Sequence, residues 1–228
     1  MEKITALVPI KSESERLVNK NFLSFTGQPL YQVILDKLQA SEMIKNIVIN
    51  TDSEIIADQC SKRYSKAIVI PRPEHIKGNA VTMNTIIDCD LGVIEGEHFL
   101  QTHCTNPLLT IKTMELAIKK YFEELGKHDS LFSVTKIKKR GFDHKGEPIN
   151  HTNKVLLQTQ HLPEIFIENS NMFIFSRTSF YNAEKSRIGL TPQTYPMNEI
   201  EGMDIDYEED FILTELINRN KHLFRILD

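Results

Sequence analysis

The sequence predicts an α/β domain built on a mostly parallel sheet with helices on both faces. Two observations carry this expectation. Short apolar runs alternate with longer segments of helical period along most of the chain, and such alternation builds a parallel sheet with crossover helices. The chain's 228 residues, 40% hydrophobic and 25% charged, suit one domain with a substantial core. A third observation qualifies them: the alternation weakens from Lys136 to Glu164, where Gly, Pro, His and Asn accumulate. The organisation expected is therefore a single domain over 1–228, interrupted by an excursion at about 136–164.

The elements follow in order. Ile4 to Ile10 reads as a buried first strand, and Lys11 to Asn21 as a polar loop. Pro29 to Glu42 reads as a helix, with Pro at its opening and Leu30, Val33, Ile34 and Leu38 at helical spacing. Ile47 to Ile49 is a second strand, and Asp52 or Ser53 can cap the helix carrying Ile55, Ile56 and Cys60. Ala67 to Ile70 is a third strand, ended by Pro71-Arg72-Pro73. A helix near Val81 to Val93 precedes a strand at His98 to Gln101, and a helix at about Ile111 to Leu125 precedes one at Ser130 to Val134. After the irregular middle come a strand at Met172 to Phe175, a helix at Glu208 to Asn218 and a last strand at Leu223 to Leu227.

Charge and composition exclude some roles. With 27 Lys+Arg against 31 Asp+Glu the formal net charge is −4, so no basic surplus serves sequence-blind nucleic-acid or anionic-membrane binding. No run of about 18 apolar residues exists to span a bilayer, and the apolar stretch at the N-terminus is too short for a signal peptide. Three cysteines without metal-ligand spacing suit a reducing, cytoplasmic setting.

Ligands of open α/β sheets bind at the carboxyl ends of the strands, so the loops there are the places to look. The first, Pro9 to Asn21, presents Lys11, Arg16 and Lys20 without the glycine patterns of a dinucleotide fold or a P-loop. Its cations could hold a polyphosphate, or they could belong to a solvated loop in which Glu13 and Glu15 are interspersed. Near the other end stands Asp204-Ile205-Asp206. Carboxylates at i and i+2 of an extended segment point the same way and can share one hard cation such as Mg²⁺. The acids that follow, Glu208 to Asp210, suit a helix N-terminus instead. His103 and Cys104 fit no nucleophile motif, Cys89 reads as core, and His144, His151 and His161 lack ligand spacing.

Taken together these loops resemble those of the sugar-acid cytidylyltransferases: the acylneuraminate cytidylyltransferases (CMP-sialic acid synthetases) and the related Kdo (3-deoxy-manno-octulosonate) enzymes. The family's P-x-R-x-x-S-x-R-L-x-x-K loop is matched by Pro9 to Lys20 and followed by Asn21, and its G-x-P-L helix start by Gly27-Gln28-Pro29-Leu30. Its S-T-D strand end is matched by Asn50-Thr51-Asp52, and its R-P pair by Arg72-Pro73. Leu100-Gln101 with Thr105-Asn106-Pro107-Leu108, Glu168-Asn169, and Asp204-Ile205-Asp206 with Asp210 complete the set in family order. The matches span nearly the whole chain; each is weak alone, and the ordered set is specific.

The resemblance implies a Rossmann-like fold of nucleotidyltransferase type and a reaction in which CTP and an acidic, nonulosonate-like sugar give a CMP-sugar and pyrophosphate. By correspondence, Lys11, Arg16 and Lys20 hold the triphosphate, Asn21 and Arg72 lie around the nucleotide, Gln101 and Asn169 face the acceptor sugar, and Asp204 and Asp206 hold Mg²⁺. It also implies a homodimer, with the 136–164 excursion serving dimerisation and the neighbouring acceptor site.

The sequence departs from the family at three places. Lys11 stands where the family usually has Arg. Two extra residues lie between Gln101 and Thr105. Thr159-Gln160-His161 replaces the R-Q-D of sialic-acid enzymes, so either Arg187 or Lys185 supplies the missing cation or the acceptor is not ordinary sialic acid. Three alternatives stand beside the leading reading: transfer to a Kdo-like or phosphonate acid, a metal-dependent glycosyltransferase, which the C-terminal place of Asp204-Ile205-Asp206 disfavours, and a nucleotide-binding regulator without catalysis.

Overall fold

The strand Ile4–Ile10 (β1) is apolar on both sides, and alternate residues bury in different directions. Ile4, Ala6, Val8 and Ile10 join one core cluster, and Leu7 joins a second. A strand covered on both faces sits in the middle of its sheet, and β1 does so in the computed structural model of this chain, which describes residues 2–78, 80–155 and 157–224.

A small antiparallel pair, Ser24–Phe25 (β2) and Gln28–Pro29 (β3), leads into helix Leu30–Ala40 (α1). Then follow strand Ile44–Thr51 (β4), helix Glu54–Arg63 (α2), strand Ala67–Pro71 (β5), helix Met83–Val93 (α3), strand His98–Gln101 (β6) and helix Ile111–Glu123 (α4). The remainder comprises strands Ser130–Ile137 (β7) and Ile165–Ser176 (β8), helix Arg177–Asn182 (α5), strand Pro192–Met197 (β9) and helix Glu208–Arg219 (α6).

Seven strands make one sheet in the order β5-β4-β1-β6-β8-β7-β9. Pairings from β5 to β6 are parallel, β8 runs antiparallel to both its neighbours, and β7 and β9 are parallel again. One face packs α1, α2 and α4 through Ile34, Leu38, Ile56, Met114 and Tyr121. The other packs α3 and α5 through Ile87, Leu91 and Phe180. A third small cluster seats α6 and the Ile205 segment on α1, through Phe25, Leu30, Val33 and Phe211.

Ser53 is the residue that caps α2, its side chain accepting from the Ile56 N–H, and it satisfies one of the orphan donors of the first turn. The structure adds what periodicity did not give. Strand β9, Pro192–Met197, has no continuous apolar run, and the largely exposed first part of β8, Ile165 to Glu168, is a ladder partner of β7. Instead of beginning a strand at Leu223, the chain closes a 3-10 turn at Lys221–Leu223. Residues 225–227 of that expected strand lie outside the described residues, as does Asn79. Residues 138–164 form the connection between the antiparallel neighbours β7 and β8. Asn150 braces it: its Oδ1 accepts from the Gly141 N–H, and its Nδ2 donates to the carbonyls of Lys139 and Pro163 at 2.9 and 2.8 Å.

Candidate active site

The order of the strands, outward from β1 to β4 and β5 and then across to β6, creates a switch point at the carboxyl ends of β1 and β6. The loop after β1 is tied down at both ends. Asp52, at the end of β4, accepts from the Ser12 N–H at 2.7 Å, and Asn21 donates its amide to the Lys11 carbonyl at 2.8 Å. Asn19 takes the left-handed conformation (φ 53°) that starts the 3-10 turn Lys20–Phe22, a conformation Asn tolerates better than most side chains. That turn aims Lys20 inward. Its ammonium bonds the Ile205 carbonyl and lies 3.6 Å from Asp206. Burial lowers the Lys20 pKa, while Asp204 and Asp206 hold it up. Arg16, more exposed, pairs with Asp206 at 2.6 Å.

The segment carrying the two aspartates is pinned against the loop after β6. Buried Glu201 accepts from the Thr110 N–H, the Thr110 hydroxyl and the Thr113 hydroxyl at the start of α4. The Ile205 N–H bonds the Thr105 carbonyl, and the amide of Asn106 donates to Met203 O and Asp204 Oδ1 at 3.3 Å. Asp204 is well desolvated, and burial together with the charge of Asp206 raises its pKa. Asp210 accepts from the Asp206 and Tyr207 N–H groups, so it caps α6 and leaves Asp204 and Asp206 as the carboxylates that this segment brings to the cavity.

Arg72 forms the opposite wall. Only 4% exposed, it donates to Asn50 Oδ1 and to the Asn50 carbonyl at 2.7 and 2.9 Å, and Asn50 donates to Asp90 at 2.6 Å. Burial raises the Asp90 pKa to about 6, against the Asn50 hydrogen bond and the Arg72 charge. Asp90 is the charge beneath this wall that the sequence did not announce, since it lies in a helix whose pattern reads as core.

A cavity of about 330 Å³ collects Lys11, Arg16, Lys20, Asn21, Arg72, Asp204 and Asp206, with His103, Cys104, Thr105, Gly78 and Ser170 among its other walls. Gln101 and Asn169 stand one layer behind it, and their neighbours His103 and Ser170 reach the surface instead. Asn169 is held by Ser133 and Thr135 through side-chain hydrogen bonds of 2.6 and 3.2 Å. Gln101, fully buried, bonds Arg187 Nη1 through its Oε1 and reaches His103 Nε2 with its Nε2 at 3.0 Å.

The direction of this chain is fixed, because a guanidinium can only donate. Gln101 Oε1 must therefore face Arg187, its NH₂ must donate to His103 Nε2, and the imidazole proton sits on Nδ1. Burial, with Arg187 and Lys20 nearby, lowers the His103 pKa to about 3, so at neutral pH the ring is an uncharged donor. The residues at the site are also compatible with a magnesium ion, since Mg²⁺ takes one or two carboxylates and completes its shell with phosphate oxygens and water. Asp204 and Asp206 supply such a pair, although among the described residues no cluster of three or more His, Cys, Asp or Glu exists that could cage a metal alone.

Comparison with known proteins agrees with this geometry. A family model described as cytidylyltransferase matches residues 5–223. The N-acylneuraminate cytidylyltransferase of Streptococcus agalactiae serotype V is 26% identical over 222 residues, covering 92% of this chain and 52% of that protein. The pseudaminic acid cytidylyltransferase of Campylobacter jejuni is 22% identical over 138 residues, 58% of each chain. The chain thus spans about half the length of the N-acylneuraminate relatives it matches. A solved CMP:2-keto-3-deoxy-manno-octonic acid synthetase complexed with CTP has the same fold, with TM-score 0.69 and 11% identity over 96% of this chain and all of that one. With the family model covering all but the ends of the sequence, this chain belongs to the cytidylyltransferase family.

Proposed function

We propose that this chain transfers CMP from CTP to a hydroxyl of an acidic, nonulosonate-like sugar, releasing pyrophosphate and using Mg²⁺. The observation that carries the reading is the convergence of four cations (Lys11, Arg16, Lys20 and Arg72) with the carboxylates of Asp204 and Asp206 on one cavity, whose wall also includes Glu15. A triphosphate needs that arrangement, cations along its length and a carboxylate pair for the counter-ion. In the reaction the acceptor hydroxyl attacks the α-phosphorus, an oxygen–phosphorus bond forms in line with the bond that breaks, and pyrophosphate departs with the electron pair. No protein nucleophile is required, so catalysis rests on positioning and charge neutralisation. Lys11, Lys20 and Arg16 neutralise the leaving phosphates, and Arg72, immobilised by Asn50, lies at the nucleotide. A magnesium ion held by Asp204 and Asp206 would screen the phosphate charge and lower the pKa of the attacking hydroxyl.

The relatives' names support an acidic sugar as acceptor: an acylneuraminate in one, pseudaminic acid in another. Thr159, where sialic-acid enzymes carry Arg, lies exposed in a 3-10 turn and offers no charge. These names favour nonulosonate-like acids as the acceptor, with octulosonic acids next. A homodimer is part of the proposal: Phe142, Ile149, Val155, Phe166 and Ile167 expose apolar surface along the 138–164 connection and the adjoining half of β8, where a second copy would cover them.

Pyrophosphate release measured with CTP and a panel of nonulosonic, octulosonic and phosphonate acids tests the reading. Release is expected only when both CTP and an acid are present. A chain that binds CTP and Mg²⁺ yet releases none with any acid is a nucleotide-binding regulator, and the enzyme reading fails. Sedimentation at micromolar concentration should give a dimer; monomer alone removes that part of the proposal.

A further inference from the structure

Two cations follow α5, and the structure separates them. Lys185 is exposed and spent on Asp88 at 2.8 Å. Arg187 packs its guanidinium 3.5 Å from the centroid of the Phe173 ring and donates to buried Gln101, and among the described residues no carboxylate lies within 4 Å of it. Glu168 acts on it only at longer range. A largely desolvated guanidinium without a counter-charge is costly to the fold, and it has donors left after one hydrogen bond.

The turn that carries Arg187 is rigid. Asp129 accepts from the Leu190 and Thr191 N–H groups at 2.7 and 3.0 Å, and Ser130 bonds the Ile188 carbonyl. Gly189 takes φ +77°, and a Cβ there would stand 2.4 Å from Asp129 Oδ1. The charge is therefore held in place before any ligand arrives. It connects to the cavity through two hydrogen bonds: Arg187 bonds Gln101, Gln101 bonds His103, and His103 is a cavity wall.

We infer that Arg187 receives the carboxylate of the acceptor acid, with Gln101 holding the guanidinium in place, and so supplies the cation that Thr159 does not. The inference rests on the transfer reading given above. A guanidinium fork matches a carboxylate in two parallel hydrogen bonds. In the ring form of a 2-keto sugar acid the carboxylate and the anomeric hydroxyl share one carbon, so a clamp on the carboxylate also aims the attacking oxygen. Arg187 is then a determinant of acid specificity and of orientation together.

Steady-state kinetics of the full chain, of Arg187→Gln and of Arg187→Lys test this. The probes are CTP with N-acetylneuraminic acid, pseudaminic acid and Kdo, each beside its methyl ester. Losing a charged hydrogen bond on a desolvated site raises the KM of whichever acid the wild type uses by roughly 10- to 100-fold in Arg187→Gln. The KM for CTP stays within about twofold, and the preference for acid over ester disappears. Arg187→Lys keeps the charge without the fork and falls between, and it carries the test if Arg187→Gln loses CTP binding. An acid KM within about threefold of wild type in both variants, with the acid-over-ester preference intact, overturns the inference while leaving transfer standing. A wild type idle with every acid overturns both.

Discussion

The parallel half of the sheet, β5-β4-β1-β6, and the mixed half, β8-β7-β9, contribute differently to one cavity. In the parallel half the groups are neutralised locally. Arg72 is bound to Asn50 and faced by Asp90, and across the cavity the β1 loop sets Arg16 and Lys20 against Asp206. On the other side Arg187 sits over Phe173 of β8 with an amide as its partner and, among the described residues, no carboxylate within 4 Å. The difference teaches where discrimination can reside. Paired charges hold a geometry that any nucleoside triphosphate could use, whereas a half-buried cation without a carboxylate partner can select its anion.

The largest expected effect breaks the paired side. Asp204→Ala or Asp206→Ala should reduce Mg²⁺-dependent turnover about a thousandfold, the scale of roughly 4 kcal/mol of transition-state stabilisation, with unfolding temperature little changed. Near-wild-type turnover in both would remove the metal assignment. Next, Gly189→Ala strains the turn behind Arg187: the new methyl meets Asp129 and the backbone is left-handed. A loss of about 1–3 kcal/mol in denaturant unfolding is expected, together with a raised KM for the acid and little change for CTP. Equal KM effects on both substrates would show that the two sides are not separable.

The remaining effects are set by pH, and they have opposite signs at two desolvated groups. Asp90 has a folded pKa of about 6 against about 4 for an exposed aspartate, so between those values the native state holds a proton that the unfolded state lacks. Stability contributed by Asp90 therefore grows as pH falls from 6 to 4, by at most about 3 kcal/mol. His103 is lowered to about 3 from 6.5, so over the same window the unfolded state takes the proton and its contribution shrinks as pH falls. Urea midpoints of Asp90→Asn and His103→Gln relative to wild type, measured from pH 4 to 7, should slope in opposite directions. Parallel slopes would refute the buried states assigned to these two groups.

The same division decides what could be read from sequence. In the parallel half each functional loop follows a short apolar strand, so Lys11, Arg16, Lys20, Asn21 and Arg72 announce themselves by position; Asp204 and Asp206, which follow β9, announce themselves by spacing alone. In the mixed half the signals fail for physical reasons. Strand β9 is Pro192–Met197, at the sheet edge with few apolar residues. The first part of β8, Ile165 to Glu168, pairs with β7 yet is largely exposed. Gln101, at the end of β6 where the two halves meet, and Asn169 come near the cavity, yet their side chains turn to Arg187 and Ser133, an orientation that depends on partners 86 and 36 residues away. Arg187 could be named as a candidate cation, but only the fold distinguishes it from Lys185. Asp90 carries no local sign at all, since its role depends on Asn50 in another strand.

The central claim is that this cavity joins CMP to the hydroxyl of an acidic sugar. Phosphorus-31 NMR of CTP, Mg²⁺ and each acid of the panel with the full chain follows that bond directly. The account predicts that for at least one acid the triphosphate signals give way to a new phosphodiester and pyrophosphate in equal amounts, both absent when the acid is omitted. Pyrophosphate without the phosphodiester, or an unchanged CTP spectrum with every acid, would contradict it.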